Sequence, residues 1–226
     1  SILVILIGCE KQTMQISCDE ILEQAYEESP LNNFEKNKFK DLFLNRYPEF
    51  DLMFEEAAQE TGIEKNLLAA ISFQESQWDP RAQSNMGVRG MMMVTLETAA
   101  LVGVEKRLNP EQNIKGGAKY FAMLKDKNIV GETDADQLST VLASYNLGPT
   151  NINKIANQIN SDVQTVTWPE IREKLKVIKG SELNLVDRES YSRGQQAIDY
   201  VDRVKSYYQL LSAHSCIAPK DQLIFF

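Results

Sequence analysis

The sequence is poor in the residues that build metal and nucleophilic sites. It holds one histidine, His214, so multi-histidine metal centres are excluded. Any Ser-His-Asp or Cys-His mechanism would have to use that one residue, which sits close to the C-terminal end. No G-x-G-x-x-G or G-x-x-x-x-G-K-[ST] string is present, so the common nucleotide cradles are missing. Positive charge is in deficit: 24 basic against 32 acidic residues give a net charge of −8. A nucleic-acid backbone is therefore a poor partner, because phosphate binding needs a basic footprint. Asp134-Ala135-Asp136 lacks the remainder of an EF-hand loop and reads as a helix start. No metal and no cofactor is expected. What remains is chemistry by carboxylates, hydroxyls and amides on a neutral or polar substrate.

The continuous apolar run from Ile2 to Ile7 is too short to span a bilayer. It resembles the end of a secretory h-region, and Leu6-Ile7-Gly8-Cys9 resembles a bacterial lipobox with Cys9 as the lipidated residue. The competing reading is a short buried strand. The three cysteines are Cys9, Cys18 and Cys216. A lipid on Cys9 leaves Cys18 and Cys216 as an even pair. They either form a disulfide in an oxidising compartment or stay as two thiols.

The 226 residues suit one domain with a short arm, at roughly 100–200 residues per domain. The periodicity is almost wholly helical. Helices are expected over 19–29, 33–46, 48–60, 64–77, 95–101, 111–126, 134–147, 151–160, 168–177 and 194–212, with 181–192 a loop. The first two read as peripheral helices or an arm. Gly62 ends the third helix, Asp79-Pro80 the fourth and Gly148-Pro149 the seventh. The chain divides into an N-terminal arm over 1–46, an all-α catalytic domain over 47–213 and a tail over 214–226.

In the 64–77 helix, Ile63, Leu67, Leu68, Ile71 and Trp78 fall on one stripe, and Glu75 falls between Ile71 and Leu68 on it. Burying an ionised carboxylate among aliphatic side chains is costly, so such a group raises its pKa and holds its proton near neutral pH. A general acid needs that property, and glycoside cleavage is the reaction class that most often uses it. The alternative is a helix-end carboxylate paired with Arg81 or Arg89.

Four segments bear on that choice. The first is Gln74-Glu75-Ser76-Gln77-Trp78-Asp79-Pro80, running on to Ser84. The second is Gly87-Val88-Arg89-Gly90-Met91-Met92-Met93-Val94-Thr95. The third is Gly116-Gly117-Ala118-Lys119-Tyr120-Phe121. The fourth is Ala143-Ser144-Tyr145-Asn146-Leu147-Gly148-Pro149. In order and spacing they resemble the lytic murein transglycosylases of the soluble-lytic type, which have a goose-type-lysozyme-like fold. Residues 193–201 and 207–208 resemble that family's closing helix, and the Gly-Val-Arg-Gly-Met-Met-Met string looks most like the membrane-bound F type.

The resemblance implies cleavage of the β-1,4 bond between N-acetylmuramic acid and N-acetylglucosamine in peptidoglycan without water, giving 1,6-anhydromuramic ends. Action on the cell wall implies a periplasmic location, and the lipobox reading of Cys9 would add attachment to the outer membrane. Glu75 matches the single catalytic glutamate. Tyr145 matches the motif tyrosine, whose hydroxyl would bond Glu75 or the substrate's N-acetyl group; packing in the core is the other reading. Asn146 would bind sugar or cap the helix. Ser84 would orient Glu75 or serve as a turn hydroxyl. Gly87 and Gly90 would let backbone approach the sugar or take up positive φ. Met92 and Met93, with Met91, would line the core and cleft floor, and Gln74 would reach the cleft. Trp78 would stack on sugar or lie buried on the helix stripe. Two departures stand out: many soluble-type members have Gln at Met93, and the family often has Glu at Gln196. A hydrolytic muramidase would need a second carboxylate, for which Asp79 and Asp134 are candidates. A non-catalytic peptidoglycan-binding protein could keep the fold.

Overall fold

The structure, a computed structural model, describes residues 17–178 and 193–218. Cys9, the apolar run before it and the whole of the expected 181–192 loop lie outside them. Among the described residues there are ten α-helices and two 3-10 turns. The β-type pairings among these residues are isolated bridges, Gln83 with Arg89 and Arg89 with Val94.

Most of the helices begin where a side chain can satisfy their free amide groups. Ser17 and Asn32 form capping boxes for α1 (Cys18–Glu28) and α2 (Asn33–Asn45). Phe50 leads into α3 (Asp51–Thr61), which stops at Gly62 in the left-handed region (φ 70°). Glu64 caps α4 (Lys65–Ser76), Thr95 caps α5 (Leu96–Val102), and Asn109 with Pro110 opens α6 (Pro110–Lys127). A Thr133–Asp136 capping box opens α7 (Asp134–Leu147). Gly148 then turns the chain straight into α8 (Pro149–Ile159). Helices α9 (Trp168–Val177) and α10 (Arg193–His214) complete the set.

Helix α4 is the centre of the molecule. Every residue from Leu67 to Phe73 is buried, not just one stripe. The small residues Ala69, Ala70 and Ser72 fill the face expected to be polar, so neighbouring elements close on it from all sides. Helix α10 packs along α4 and also against α1, α7 and α9.

Trp78 requires a correction. It is wholly buried, but it lies beyond the helix. Helix α4 ends at Ser76, before Asp79-Pro80, because Gln77 and Trp78 both adopt positive φ (54° and 58°). That reversal folds the indole back onto α4, where Nε1 donates to the Ala69 carbonyl at 2.9 Å. Arg46 secures the same turn by donating to the Gln77 carbonyl at 3.0 Å.

The first two helices share this core. Phe39 of α2 is fully buried and packs on Phe73, Trp78 and Tyr207 at ring separations of 4.9, 5.7 and 5.5 Å. Cys18 and Cys216 form a disulfide, with Cα atoms 5.0 Å apart, joining the start of α1 to the residues just after α10. His214 stacks on Phe43 at 4.0 Å and shares a 3.0 Å hydrogen bond with the Tyr26 hydroxyl. Burial pushes its pKa down to about 4. The single histidine is thus a packing residue in an aromatic cluster.

Candidate active site

Glu75 sits in the last turn of α4. Two serines on that helix hold a neighbouring chain segment: Ser72 and Ser76 donate to the Met91 carbonyl at 3.0 and 2.8 Å. The next residue ties the same chain to two other helices. The Met92 amide donates to Asn113 Oδ1 of α6 at 2.7 Å. The Met92 carbonyl accepts the Tyr145 hydroxyl of α7 at 2.9 Å. Two adjacent peptide groups therefore connect the last turns of α4 with α6 and α7.

The loop between α4 and α5 folds to bring those peptides in. Gly90 donates to the Ala82 carbonyl at 2.8 Å, and Arg89 and Val94 exchange bonds of 3.2 and 3.0 Å. Arg107 donates to the carbonyls of Gly87 and Val94 at 2.6 and 3.1 Å. Gly90 has φ +82°, and a Cβ there would stand 2.3 Å from the Arg107 carbonyl. This glycine is required by packing: it is buried against α6, and its contacts are with protein. The paired glycines of α6 have a similar explanation, since a Cβ at Gly117 would lie 2.4 Å from Met92 Cβ.

Glu75 is half-buried by surface, yet protein surrounds its carboxyl densely enough that desolvation governs its titration. Burial pushes its pKa up to about 7, and the neighbouring Tyr200 hydroxyl opposes part of that rise. Neither Arg81 nor Arg89 forms an ion pair with it among the described residues. Tyr200, on α10, is buried, and its hydroxyl has no partner at ordinary hydrogen-bond length. It acts on Glu75 as a nearby, unused donor. Burial and the proximity of Glu75 raise the pKa of both Tyr145 and Tyr200, which stay protonated.

Beside Tyr145 runs a groove of about 440 Å³. Met93, Glu97, Tyr120, Asn146 and Pro149 are among the residues lining it. Asn146 Oδ1 is buried there without a hydrogen-bond partner, so the site presents an unused acceptor. Met93 reaches the groove through a positive φ of 46°.

The expected site residues therefore divide. Tyr145, Asn146 and Met93 line the groove, and Glu75 at the end of α4 lies close enough to Tyr145 to raise its pKa. Tyr145 does not donate to Glu75: its proton goes to the Met92 carbonyl. Met92 lies wholly inside the core and contributes through its backbone. Ser84 is a turn hydroxyl, accepting from the Met86 and Val88 amides at 3.2 and 3.3 Å, with no bond to Glu75. Gln74 faces a different pocket, against α2 and α10. Asp134 opens α7, more than three helical turns from Tyr145, and borders another cavity.

Two site residues escaped the sequence reading. Tyr200 stands in the closing-helix segment, where its spacing is that of any core residue. Asn113 interrupts the buried face formed by Ile114, Gly117 and Phe121, the same kind of signal that singled out Glu75.

Comparison with known proteins places this arrangement. Residues 52–165 match the Transglycosylase SLT domain, and the chain belongs to that family. It is similar to membrane-bound lytic murein transglycosylase F 1 of Alkalilimnicola ehrlichii, with 40% identity over 170 residues, 74% of this chain and 34% of that protein. It is also similar to membrane-bound lytic murein transglycosylase F of Maricaulis maris, with 38% identity over 172 residues, 75% of this chain and 37% of that one. The chain thus spans about a third of the length of these relatives. Among solved structures, an inactive mutant of lytic transglycosylase Slt from Pseudomonas aeruginosa superimposes with a TM-score of 0.53 at 17% identity, covering 92% of this chain and 32% of that one. The 70 kDa soluble lytic transglycosylase of Escherichia coli gives 0.53 at 16% identity, covering 91% and 32%. These likenesses bear out the all-α, lysozyme-like fold.

Proposed function

We propose that this protein is a lytic transglycosylase that cleaves the β-1,4 bond between N-acetylmuramic acid and N-acetylglucosamine in peptidoglycan, without water. The observation that carries the reading is Glu75: a carboxyl shielded on a central helix, pushed up to about 7, and close to Tyr145, which lines a groove. Near neutral pH it is divided between its acid and base forms, as a group that must first give and then take a proton requires.

Glu75 donates its proton to the glycosidic oxygen, and the bond to C1 of the muramic ring breaks. The substrate's N-acetyl oxygen stabilises the sugar cation, so no second enzyme carboxylate is needed. Glu75, now ionised, accepts the proton of the muramic 6-hydroxyl, and that oxygen closes on C1. Charge on Glu75 appears in the middle of this sequence, and the unused Tyr200 hydroxyl is a donor that can answer it. Tyr145 positions the chain around Met92, and the free Asn146 acceptor suits an amide N–H of an N-acetyl sugar.

The names of the relatives support a membrane-associated cell-wall enzyme. The disulfide fits an oxidising compartment such as the periplasm. Lipidation of Cys9 and anchoring to the outer membrane belong to the same reading. Among the described residues, no helix is long and apolar enough to cross a membrane.

The test is mass analysis of the fragments released from purified cell-wall sacculi. Anhydro ends, lighter by one water than reducing ends, are expected, with none from Glu75→Gln. Reducing ends would instead make the protein a muramidase, with the exposed, groove-lining Glu97 as the carboxylate to examine for activating water. Equal digestion by Glu75→Gln would leave only a binding role.

A further inference from the structure

A second pocket, of about 300 Å³, lies on another side of the end of α4. It is closed by α2, which precedes the family match at 52–165, and by α10, which follows it. Its polar lining is largely unused. The side-chain amides of Gln74 and Gln77 and the Tyr207 hydroxyl make no hydrogen bond within the described residues. Tyr207 is only 6% exposed, so its free hydroxyl has little access except through the pocket.

The charge of the pocket is equally particular. Arg203 pairs with Glu35 at 3.1 Å, and those two charges cancel. Lys38 has no ion pair among the described residues, and its contact is with the Phe34 ring, 6.0 Å from the centroid. The pocket therefore carries one uncompensated cation on a chain whose net charge is −8. Phe34 itself is 74% exposed at the rim.

A cation, two amides and a hydroxyl converging in a groove fit an extended chain with carboxylates and peptide groups. Resting on the transglycosylase reading, we infer that this pocket binds the anionic stem peptide carried by the muramic acid at the cleavage site. The pocket adjoins the reacting end of α4 on its other side: Gln74 is the chain neighbour of Glu75, about 3.8 Å away between Cα atoms. A three-residue stem reaches about 10 Å from the sugar, at roughly 3.5 Å per residue. Helix α2 thus makes the enzyme selective for peptide-bearing glycan.

The experiment compares intact sacculi with glycan strands stripped of their peptides by an amidase. Lys38→Glu is expected to slow release from intact sacculi on the order of tenfold, through KM, and to leave stripped strands unaffected. Lys38→Arg should restore most of the loss. Slowing on both substrates alike, or on neither, overturns the proposal. A binding arm separates it from the reading beneath it: Glu75→Gln protein is titrated calorimetrically with the free tripeptide L-alanyl-γ-D-glutamyl-diaminopimelate. Binding that Lys38→Glu abolishes supports the pocket even if the parent cleaves neither substrate. Absence of binding to the tripeptide counts against it even if the parent is an active transglycosylase.

Discussion

The Tyr145 hydroxyl donates to the Met92 carbonyl at 2.9 Å, while the Met91 carbonyl one residue earlier receives Ser72 and Ser76 of α4. The Met91–Met92 backbone is therefore held between α4 and α7 by side-chain hydroxyls. Tyr145→Phe removes one bond and leaves a part-buried carbonyl unpaired, a cost of about 1–2 kcal/mol. The melting temperature should fall by about 2–6 °C. Cleavage of sacculi should fall on the order of tenfold or more, because the reacting geometry loosens. An unchanged turnover number would show that Tyr145 only packs.

Asn113 ties the Met92 segment to the residues before α6 with three hydrogen bonds. Its Oδ1 accepts from Met92, and its Nδ2 donates to the carbonyls of Arg89 and Arg107 at 2.9 and 2.7 Å. Asn113→Asp keeps the shape but sets a carboxylate oxygen against two carbonyls in a buried place. The expected loss is about 3 kcal/mol or more, visible as a lowered denaturation midpoint. A variant as stable as the parent would mean that the loop between α4 and α5 does not depend on this anchor.

The sequence made these two residues unequally legible. Glu75 announced itself because a carboxylate on an aliphatic stripe violates the helical pattern. Helix starts were legible for a related reason: Thr95 and Asn109 are local signals, readable within four residues. The end of α4 was not, because Gln77 and Trp78 carry no glycine or proline to mark their positive φ; long-range contacts from Arg46 and Ala69 hold that turn. The partner of Tyr145 was hidden because a bond to a backbone carbonyl leaves no trace in residue type. Ser84 was assigned toward Glu75 by resemblance, whereas its own loop offered the nearer amide groups.

The Cys18–Cys216 bond closes a loop of 198 residues in sequence separation. Cross-links over long loops restrict the unfolded chain most, and losing this one should cost about 2–5 kcal/mol. Reductant should lower the melting temperature of the parent. The Cys18→Ser/Cys216→Ser double variant should already melt at the lower temperature and be insensitive to reductant. Equal melting of the parent with and without reductant, under conditions where thiol titration proves the bond broken, would refute a stabilising role.

Glu75 should make the folded protein less stable as pH rises. Its pKa is raised from 4.5 to about 7 by burial, so the folded state holds a proton that the unfolded state has released between those values. Below about pH 4.5 both states are protonated and the residue is neutral in its effect. Through pH 5–7 stability declines, and above about 7 the full penalty is present, at most about 3 kcal/mol. Glu75→Gln carries no such charge. It should match the parent near pH 4 and melt higher at pH 8, while releasing no anhydro fragments at either pH. The parent's turnover should fall as pH climbs past about 7, since the protonated form starts the reaction. A Glu75→Gln variant that gains no stability over the parent between pH 4 and pH 8 would place the carboxyl in contact with water, and the acid-then-base cycle would lose its physical basis.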